Sequence, residues 1–341
     1  MNKILKGLPG YFSLIGQPLE ADRPAYLMMN LETTCSYCCL KCCLPGRERP
    51  IGRLLLFEER KRALKLAEAA GIRILVIIGA GEPTEEPGYS ELVRPVIAYA
   101  DRLGMGTILF TTASHLTKEQ TGFFLSHNVS IYISLDSLQP ETYRFLTGCG
   151  DLNQVMGRLR MLRSMYAGTI TEIGGTRIIR LGINTAVCLP NISELERLKA
   201  FAGDDMHYVA NSPMRRGRFA KGKVWQTLVG DRYDALAQRA QEMSETGGPT
   251  STAEGVCSYS SQGFSVDVDG ELLVCCYAGE TAGCFGNIRQ IVTPEDLLRQ
   301  FRSKQERCQQ FFNTHGHDNP CPLRDKNWPN LVAALKNSPS A

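Results

Sequence analysis

Cysteine provides the most concentrated chemistry in this sequence. The chain has 13 cysteines in 341 residues, of which five fall between positions 35 and 43 and six between positions 257 and 321. Only Cys149 and Cys188 lie outside these two groups. The sequence shows no export signal, and in a reducing compartment clustered thiols serve best as metal ligands. The clustering therefore predicts two separate thiolate metal sites.

The first cysteine group has the spacing C-x3-C-x2-C, which Cys35, Cys39 and Cys42 form within LETTCSYCCLKCC. Three thiolates in a short loop can hold three irons of a [4Fe–4S] cubane and leave the fourth iron without a protein ligand. A zinc site or a redox thiol cluster would also use such cysteines, and Cys38 and Cys43 permit other registers. The residues alone leave these alternatives open.

The segment resembles the signature of the radical S-adenosylmethionine (SAM) superfamily. The resemblance implies that the amino and carboxylate groups of SAM bind the open iron. One electron from the cluster would then break a C–S bond of the sulfonium and release a 5′-deoxyadenosyl radical. Family members usually carry an aromatic residue just before the third cysteine, which contacts the adenine, and this chain has Lys41 there.

The segment VIIGAGEPT, after the second predicted strand, resembles the GGEP motif of the same family. The resemblance implies that its backbone and acidic side chain hold the amino group of SAM. Glycines permit a close backbone approach, although Gly-Glu-Pro is also an ordinary turn. The residues concerned are Gly79, Ala80, Gly81, Glu82 and Pro83.

Two later segments also resemble family motifs, and a third carries a candidate contact to SAM. YISLDSLQPETY resembles the SLD segment, which implies that Ser134 and Asp136 approach the ribose and carboxylate of SAM. A helix cap by Asp136 or Ser137 is the alternative. In RLGINTAV, SAM or a core hydrogen bond could satisfy the buried amide of Asn184. LFTTASHL resembles the TNG step, but Thr112 and Ala113 replace Asn and Gly, so no role is carried over.

The second cysteine group has the spacing C-x12-G-x4-C, followed by GNI, and resembles the SPASM or Twitch extension of radical SAM enzymes. The further run C-x2-C-x5-C-x3-C of the two-cluster pattern is absent. The resemblance therefore implies one auxiliary [4Fe–4S] cluster, with zinc as the alternative metal. The implied ligands are Cys257, Cys275, Cys321 and Cys308; the rivals are Cys276, Cys284, His315, His317 and Asp318.

A few residues outside the motifs could also take part in chemistry. Cys149 could donate a hydrogen atom to a substrate radical, and Cys188 has the same possibility, although free cysteines are more often packed apolar residues. The arginines of the loop after the sixth predicted strand could bind a carboxylate or phosphate, or simply be solvated. These are Arg215, Arg216 and Arg218. We expect His115 to be a surface or cap residue.

Alternating strands and helices must position these motifs. Their spacing is typical of a parallel sheet with right-handed crossovers. About six βα units predict a partial (β/α)6 TIM-like barrel whose chemistry lies at the C-terminal ends of its strands. The predicted strands span 26–31, 72–78, 107–112, 129–135, 180–187 and 205–210; the predicted helices lie near 57–70, 89–103, 117–126, 152–166 and 192–202.

The segment 245–255, rich in Gly, Pro, Ser and Thr, predicts a domain boundary. We expect an N-terminal segment at 1–24, the barrel at 25–245 and an auxiliary-cluster domain at 246–341. In the last domain, strands at 263–268 and 271–275 flank Asp269-Gly270 and predict a β-hairpin. A helix near 294–310 should follow.

Composition excludes some partners. The 38 basic and 35 acidic residues nearly balance, and the chain has no block rich in Lys and Arg, which argues against a nucleic-acid partner. No apolar run reaches the length of a bilayer span, so we expect no membrane partner and a cytoplasmic location.

The reaction after SAM cleavage depends on the substrate. We expect a small polar metabolite such as a sugar, aminocyclitol or nucleoside, undergoing dehydrogenation, epimerisation or decarboxylation. A reductase with flavodoxin or ferredoxin would supply the electron. The alternative substrate is a peptide or protein side chain. The 34 residues before Cys35 argue against it, because they are too few for a separate leader-peptide domain. A non-catalytic zinc- or thiol-rich binding protein is a distant alternative.

Overall fold

The computed structural model describes the backbone of residues 2–18, 23–42, 52–78, 80–214, 217–245, 262–275 and 284–315, and side chains as far as residue 306. Its strands are β1 (Asn2–Leu5), β2 (Tyr26–Met29), β3 (Ile74–Ile77), β4 (Gly106–Thr111), β5 (Val129–Ser134), β6 (Thr171–Ile173), β7 (Thr176–Ile179), β8 (Leu181–Ala186), β9 (His207–Asn211), β10 (Gly263–Val266), β11 (Glu271–Leu273) and β12 (Cys284–Asn287). Its helices are α1 (Pro9–Leu14), α2 (Phe57–Ala69), α3 (Arg94–Arg102), α4 (Lys118–Ser126), α5 (Pro140–Thr147), α6 (Leu152–Tyr166), α7 (Leu195–Ala202), α8 (Gly222–Leu228), α9 (Tyr233–Met243) and α10 (Pro294–His315).

Within these residues, one sheet has the strand order β12-β11-β10-β2-β3-β4-β5-β8-β9. In this order, each adjacent pair from β10 and β2 through to β8 and β9 is parallel. The parallel sheet of the predicted partial TIM-like barrel is thus confirmed, and each of the six predicted barrel strands forms within a few residues of its expected bounds.

Alternation along the strands explains why they form. The side chains of β2 are all buried, but Leu27 and Met29 pack in the core beneath the helices, whereas Tyr26 and Met28 pack in a second core inside the sheet. Successive side chains of a strand point to opposite faces. A strand buried on both faces therefore reads as a continuous apolar run, as is typical of parallel sheets covered by helices.

The N-terminal segment closes one end of the barrel interior, which the sequence pattern did not predict. Leu5, Leu8 and Phe12 pack in the interior core with Tyr132. Strand β1 pairs in parallel with β7, which forms a hairpin with β6. The hydroxyl of Ser130, near the start of β5, donates to Lys6 O at 2.8 Å. The segment therefore lies at the N-terminal ends of the strands and leaves their C-terminal ends for chemistry.

The C-terminal extension continues the barrel sheet. The predicted hairpin forms from β10 and β11, and β12 pairs with β11. Strand β10 also pairs in parallel with β2, a contact that sequence spacing did not predict. The Arg62 guanidinium of α2 donates to the carbonyls of Ile291 at 2.6 Å and Ile288 at 2.8 Å. Among the described helices, none is long and apolar enough to cross a membrane.

Candidate active site

A loop at residues 30–42 leaves β2 and carries the first cysteine group; we call it the cysteine loop. On one side it is bound to the segment after β3, since Ala80 N donates to Leu31 O at 2.9 Å and Glu82 N to Thr34 O at 2.7 Å. A Cβ atom at Gly81 would lie 2.0 Å from a backbone oxygen of the loop. Only glycine permits this approach, so the GAGEP segment and the cysteine loop fit together as a unit.

Helix α5, which the sequence did not predict, binds the other side of the cysteine loop. Cys38 N donates to Thr147 O at 3.2 Å, and Leu40 N donates to Leu146 O at 2.9 Å. Gly148 ends the helix with a φ of +80°, and a Cβ atom there would lie 2.7 Å from the Cys38 carbonyl oxygen. The end of α5 therefore holds the middle of the loop.

A short 3-10 turn at Gly217–Ala220 holds the third-cysteine end of the loop. Phe219 N donates to Cys42 O at 3.2 Å, and the Arg218 guanidinium donates to Cys39 O at 3.3 Å. Arg218 therefore lies beside the cysteine loop at the mouth of the barrel, where it contacts the loop backbone. Arg215 and Arg216 lie outside the described residues.

The three predicted ligand thiols of the loop differ in exposure. The residue Cys35 is exposed, and Cys39 and Cys42 are half-buried. Partial loss of solvation raises the pKa of the Cys35 thiol to about 11, and the carboxylates of Glu82 and Glu85 add to this shift. Loss of solvation raises the pKa of Cys39 to about 12, although the Lys41 ammonium opposes this shift. A metal cation beside these two thiols would favour their thiolate forms, and its binding would release the thiol protons.

The donor set fits a [4Fe–4S] cluster with one open iron. Three thiols lie on one loop that three separate elements hold in place, and three thiolates are what such a cubane requires. Among the described residues, no three His, Cys, Asp or Glu side chains converge on a single metal ion. The ligands of a cubane lie further apart, because the irons stand between them.

Glu82 is buried at 2% exposure and accepts five hydrogen bonds. Its Oε1 accepts from Thr84 N at 3.0 Å, from Thr84 Oγ1 at 2.6 Å and from Thr111 Oγ1. Its Oε2 accepts from Thr112 N at 2.7 Å and Oγ1 at 2.8 Å. The carboxylate therefore ties the GAGEP segment to the end of β4.

The remaining GAGEP residues differ in how far solvent reaches them. Ala80 is exposed, Gly81 is half-buried and Pro83 is buried, whereas Gly79 lies outside the described residues. The backbone at Ala80 and Gly81 is accordingly the part of this segment that a ligand at the barrel mouth can reach.

Ala113 shows why a glycine is usual at the TNG-like step. It has a φ of +60° and is fully buried, and its N–H donates to Thr111 Oγ1 at 2.9 Å. Left-handed backbone is unfavourable for a residue with a Cβ atom. The chain adopts it here because the two hydrogen-bonded threonines fix the end of β4 against Glu82.

Asp136, beyond the end of β5, is fully buried. Its Oδ1 accepts from Ala186 N at 2.8 Å, and its Oδ2 forms an ion pair with the Lys41 ammonium. Burial by itself lowers the pKa of Lys41, but the Asp136 carboxylate outweighs this and raises it above its ordinary value. Asp136 does not cap α5, whose N-cap residue is Gln139, whereas the Ser137 hydroxyl accepts from Gln139 N at 2.9 Å just before the helix.

Two other predicted contacts to SAM lie near this strand end. Ser134 is half-buried. Asn184 lies within β8 in register with Ser134, and its Oδ1 accepts a hydrogen bond from Asn211 Nδ2. The structure therefore places the two residues side by side on neighbouring strands, with the Asn184 amide already partnered by Asn211 of β9.

A polar cluster next to Cys35 was not predicted as part of the site. Ser36 N donates to Glu85 Oε2 at 2.8 Å, and the Ser36 hydroxyl lies 2.9 Å from His115 Nε2. His115 Nε2 and Glu85 Oε2 are 3.5 Å apart. His115 is 40% exposed, so the expected surface position is correct. Its contact with the loop has no sequence signal, because the three residues come from three different loops.

The other cysteines occupy contrasting positions. Cys149 is exposed beside the cysteine loop, and its thiol donates to Ser36 O at 3.4 Å. Cys188 is buried, which raises its pKa to about 12. In the extension, Cys275 is buried and follows β11, while Cys284 starts β12 in register with Leu273. Outside the described side chains lie Cys43, Cys257, Cys276, Cys308, His315, His317, Asp318 and Cys321.

Comparisons in sequence give GTP 3',8-cyclases among the relatives. The chain is 27% identical over 247 residues to GTP 3',8-cyclase 1 of Pseudomonas aeruginosa, covering 69% of this chain and 68% of that protein. It is 30% identical over 210 residues to GTP 3',8-cyclase of Pseudomonas syringae, covering 59% of each.

Comparisons in structure give enzymes of the same fold. Native anSMEcpe with bound AdoMet superposes with a TM-score of 0.57 at 12% identity, covering 92% of this chain and 99% of that one. Streptococcus suis SuiB bound to precursor peptide SuiA gives a TM-score of 0.56 at 15% identity, covering 82% of this chain and 65% of that one. At these identities the likeness shows the fold alone.

The family match covers the part of the chain that builds this site. Residues 29–177 match the model of the Radical SAM superfamily, and they run from the end of β2 through the cysteine loop, the GAGEP segment, the end of β4 and the SLD segment. Sequence relatives and family model agree, and residues 29–177 form a domain of the radical SAM superfamily of enzymes.

Proposed function

We propose that Cys35, Cys39 and Cys42 hold the SAM-binding [4Fe–4S] cluster, and that the enzyme abstracts hydrogen from a small polar metabolite. The superfamily uses SAM and such a cluster. When bound, this pair supplies one-electron cleavage of SAM and a 5′-deoxyadenosyl radical. The observation that carries the ligand assignment is the cysteine loop itself, which the GAGEP segment, α5 and the turn at Gly217–Ala220 bind at the C-terminal ends of the strands.

The residues around the loop prepare the SAM site. Glu82 and its threonines fix the GAGEP backbone, so that the accessible groups of Ala80 and Gly81 are preorganised for the amino group of SAM. Ser134 ends β5 and is in register with Asn184 of β8, and we propose that the two residues approach the ribose and carboxylate of SAM. Asp136 faces Lys41, and we assign it a role in holding the site together.

Among small metabolites, a nucleoside or nucleotide is the best supported substrate. The sequence relatives at 25–30% identity are named GTP 3',8-cyclases. Arg218 adds a cationic side chain at the barrel mouth, where a phosphate would need one. A sugar or an aminocyclitol, and the outcomes of dehydrogenation, epimerisation or decarboxylation, belong to the same proposal. Cys149 lies beside the cysteine loop and is the proposed hydrogen donor.

Modification of a peptide is a second candidate, and the fold favours it. Structures solved with peptides, SuiB with SuiA and anSMEcpe with the Cp18Cys peptide, align with 82% and 92% of this chain. The match to GTP 3',8-cyclase 1 covers 69%. Those alignments show the fold alone, so we rank this function second. The distant alternative of a non-catalytic binding protein is wrong, because the chain contains a domain of this superfamily of enzymes.

We also propose that the chain is divided into an N-terminal segment at 1–24, a barrel at 25–245 and a third domain at 246–341. This third domain would hold one auxiliary [4Fe–4S] cluster. Its proposed ligands are Cys257, Cys275, Cys308 and Cys321. The described part supports a site near β11, where Cys284, a rival ligand, starts the strand paired with it. A flavodoxin or ferredoxin with its reductase is the proposed electron donor.

The test is anaerobic reconstitution with iron and sulfide, followed by turnover with dithionite and SAM. Substrate panels of nucleotides, sugars and peptides would be compared by formation of 5′-deoxyadenosine above the rate without substrate. Stimulation by GTP or another nucleotide supports the proposal, and transfer of deuterium from labelled substrate into 5′-deoxyadenosine identifies the abstracted hydrogen. Stimulation by peptides alone would replace it with the second candidate. About eight irons per chain would indicate two clusters, and about four would indicate one.

A further inference from the structure

Lys41 occupies the position directly before the third cysteine, and its side chain turns into the protein. The Lys41 and Asp136 side chains are only 11% and 1% exposed, and the ammonium pairs with Oδ2 of the carboxylate. In the family, the residues at these two positions are expected to contact SAM. In this chain Lys41 and Asp136 form an ion pair with each other. This pair links the cysteine loop to the end of β5.

Asp136 is held in place independently of the cysteine loop. Its Oδ1 accepts from Ala186 N at 2.8 Å, and its carbonyl accepts from Asn191 Nδ2 at 2.8 Å. Asn191 itself accepts from Cys188 N at 2.8 Å. The carboxylate is therefore a fixed acceptor on the barrel, and the loop reaches it only through Lys41.

The cost of losing one partner is high at such a position. A buried charge left without its partner is strongly destabilising, even where the intact pair contributes little. The pair also lies beside the cluster ligands, since Lys41 is adjacent to Cys42 and both of its charges act on the Cys39 thiol.

We propose that Lys41 is a positioning residue: its buried ion pair with Asp136 fixes the Cys39–Cys42 end of the cysteine loop on the barrel and keeps the charge beside those thiolates balanced. The proposal rests on the assignment of these cysteines as cluster ligands. It assigns Lys41 and Asp136 a joint task in this chain, in place of an aromatic contact to the adenine and an acidic contact to SAM.

Charge balance gives the proposal a signature that loop distortion alone does not give. Lys41→Met leaves a negative charge beside the cluster, which disfavours adding an electron and shifts the midpoint potential to more negative values. Asp136→Asn leaves a positive charge and shifts the potential to more positive values, while its amide oxygen can still accept from Ala186 N. The double variant restores balance and lies between the single variants.

The first experiment is a redox titration of anaerobically reconstituted protein. The titration is monitored by the electron paramagnetic resonance (EPR) signal that changes on addition of SAM. Lys61→Met is the control, because Lys61 forms an exposed ion pair with Glu58 at 2.8 Å on α2. The expected result is shifts of opposite sign for the two single variants and none for the control. Shifts of the same sign, or none, would overturn the charge-balance part of the proposal.

The second experiment needs no cluster. In the iron-free protein, hydrogen–deuterium exchange at residues 39–42 should be more than about tenfold faster in Lys41→Met than in wild type. Exchange in the double variant should be slower than in Lys41→Met. Unchanged exchange in Lys41→Met would overturn the positioning role. A wild-type protein without a SAM-responsive EPR signal would instead contradict the proposed function, so the two failures are distinguishable.

Discussion

The cysteine loop and the C-terminal extension both meet the barrel at β2, but different forces attach them. Backbone hydrogen bonds from three elements and two close glycine contacts hold the cysteine loop. The extension depends on strand pairing and on two arginines that bridge it to α2 and the segment before it, Arg62 and Arg289. Cysteine side chains of the loop should therefore matter for function and little for folding. Charged side chains at the extension should matter for stability.

The largest effect should come from replacing Cys35, Cys39 and Cys42 together with Ala. SAM cleavage and the SAM-responsive EPR signal should fall to background. The Tm of the iron-free protein should stay close to that of wild type, because the loop is held through its backbone. Cys38→Ser is the control and should retain cleavage, since Cys38 is outside the C-x3-C-x2-C register. Cleavage surviving in the triple variant would refute the ligand assignment.

Glu82→Gln should have the next largest effect, and it also concerns the region around the cysteine loop. Glutamine keeps one oxygen acceptor and replaces the other with an amide nitrogen, so it loses either the hydrogen bonds from Thr84 and Thr111 to Oε1 or those from Thr112 to Oε2. We expect the free energy of unfolding to fall by about 1–3 kcal/mol and SAM affinity to fall with it. Denaturant unfolding and calorimetric titration measure the two quantities. Glu58→Gln, at 75% exposure, is the control, and an equal loss in that variant would contradict the prediction.

Arg289→Met tests the attachment of the extension. The Arg289 guanidinium donates to Glu59 Oε1 at 2.8 Å, to Asp269 O at 2.5 Å and to Arg53 O at 2.7 Å. Its removal should lower the free energy of unfolding by about 1–2 kcal/mol. Hydrogen exchange at 284–290 should rise, while exchange at 35–42 should not change.

The same variant should change the response to acid. The hydrogen bond from Arg289 is the largest of the contacts that lower the pKa of Glu59 to about 2, and the Leu56 N–H and Arg53 contribute further. A lowered carboxyl pKa stabilises the folded state above the unfolded value, and this stabilisation is lost as the pH falls from about 4.5 towards 2. Arg289→Met should therefore flatten the pH dependence of stability below about 5. An unchanged acid limb would show that Glu59 keeps its low pKa without Arg289.

The smallest effect should come from Ala113→Gly. Glycine removes the cost of about 1–2 kcal/mol for a left-handed Ala, but it adds about 0.5–1 kcal/mol of chain entropy to be lost on folding. The net result should be a stabilisation between about zero and 1.5 kcal/mol. Ala67→Gly, at a buried position of α2, is the matched control and should destabilise. Equal losses of stability in Ala113→Gly and Ala67→Gly would contradict the left-handed backbone conformation of Ala113.

Much of the barrel could be predicted from the sequence, because each motif follows its strand directly. The end of β2 leads into Cys35, the end of β3 into Gly81 and the end of β5 into Asp136. Parallel strands bring their C-terminal ends to one edge of the sheet, so order along the chain becomes proximity in space.

Side-chain partners were harder to predict, because they depend on contacts between distant segments. Two of the three residues that donate to Glu82, Thr111 and Thr112, lie about thirty residues away, and the pairing of Lys41 with Asp136 crosses 95 positions. Helix α5 and the N-terminal strand β1 are short, at 8 and 4 residues, and their apolar patterns are correspondingly weak. The pairing of β10 with β2 joins segments far apart in the chain, and no local pattern encodes it.

The most direct test of the central claim is electron–nuclear double resonance of the reduced protein with SAM carrying ¹⁵N in its amino group. Three cysteine ligands leave one iron for SAM, so a hyperfine coupling from the labelled nitrogen should appear in wild type. The Cys35, Cys39 and Cys42 triple variant should lack it. A wild-type cluster that gives no ¹⁵N coupling and an unchanged spectrum on addition of SAM would contradict the account.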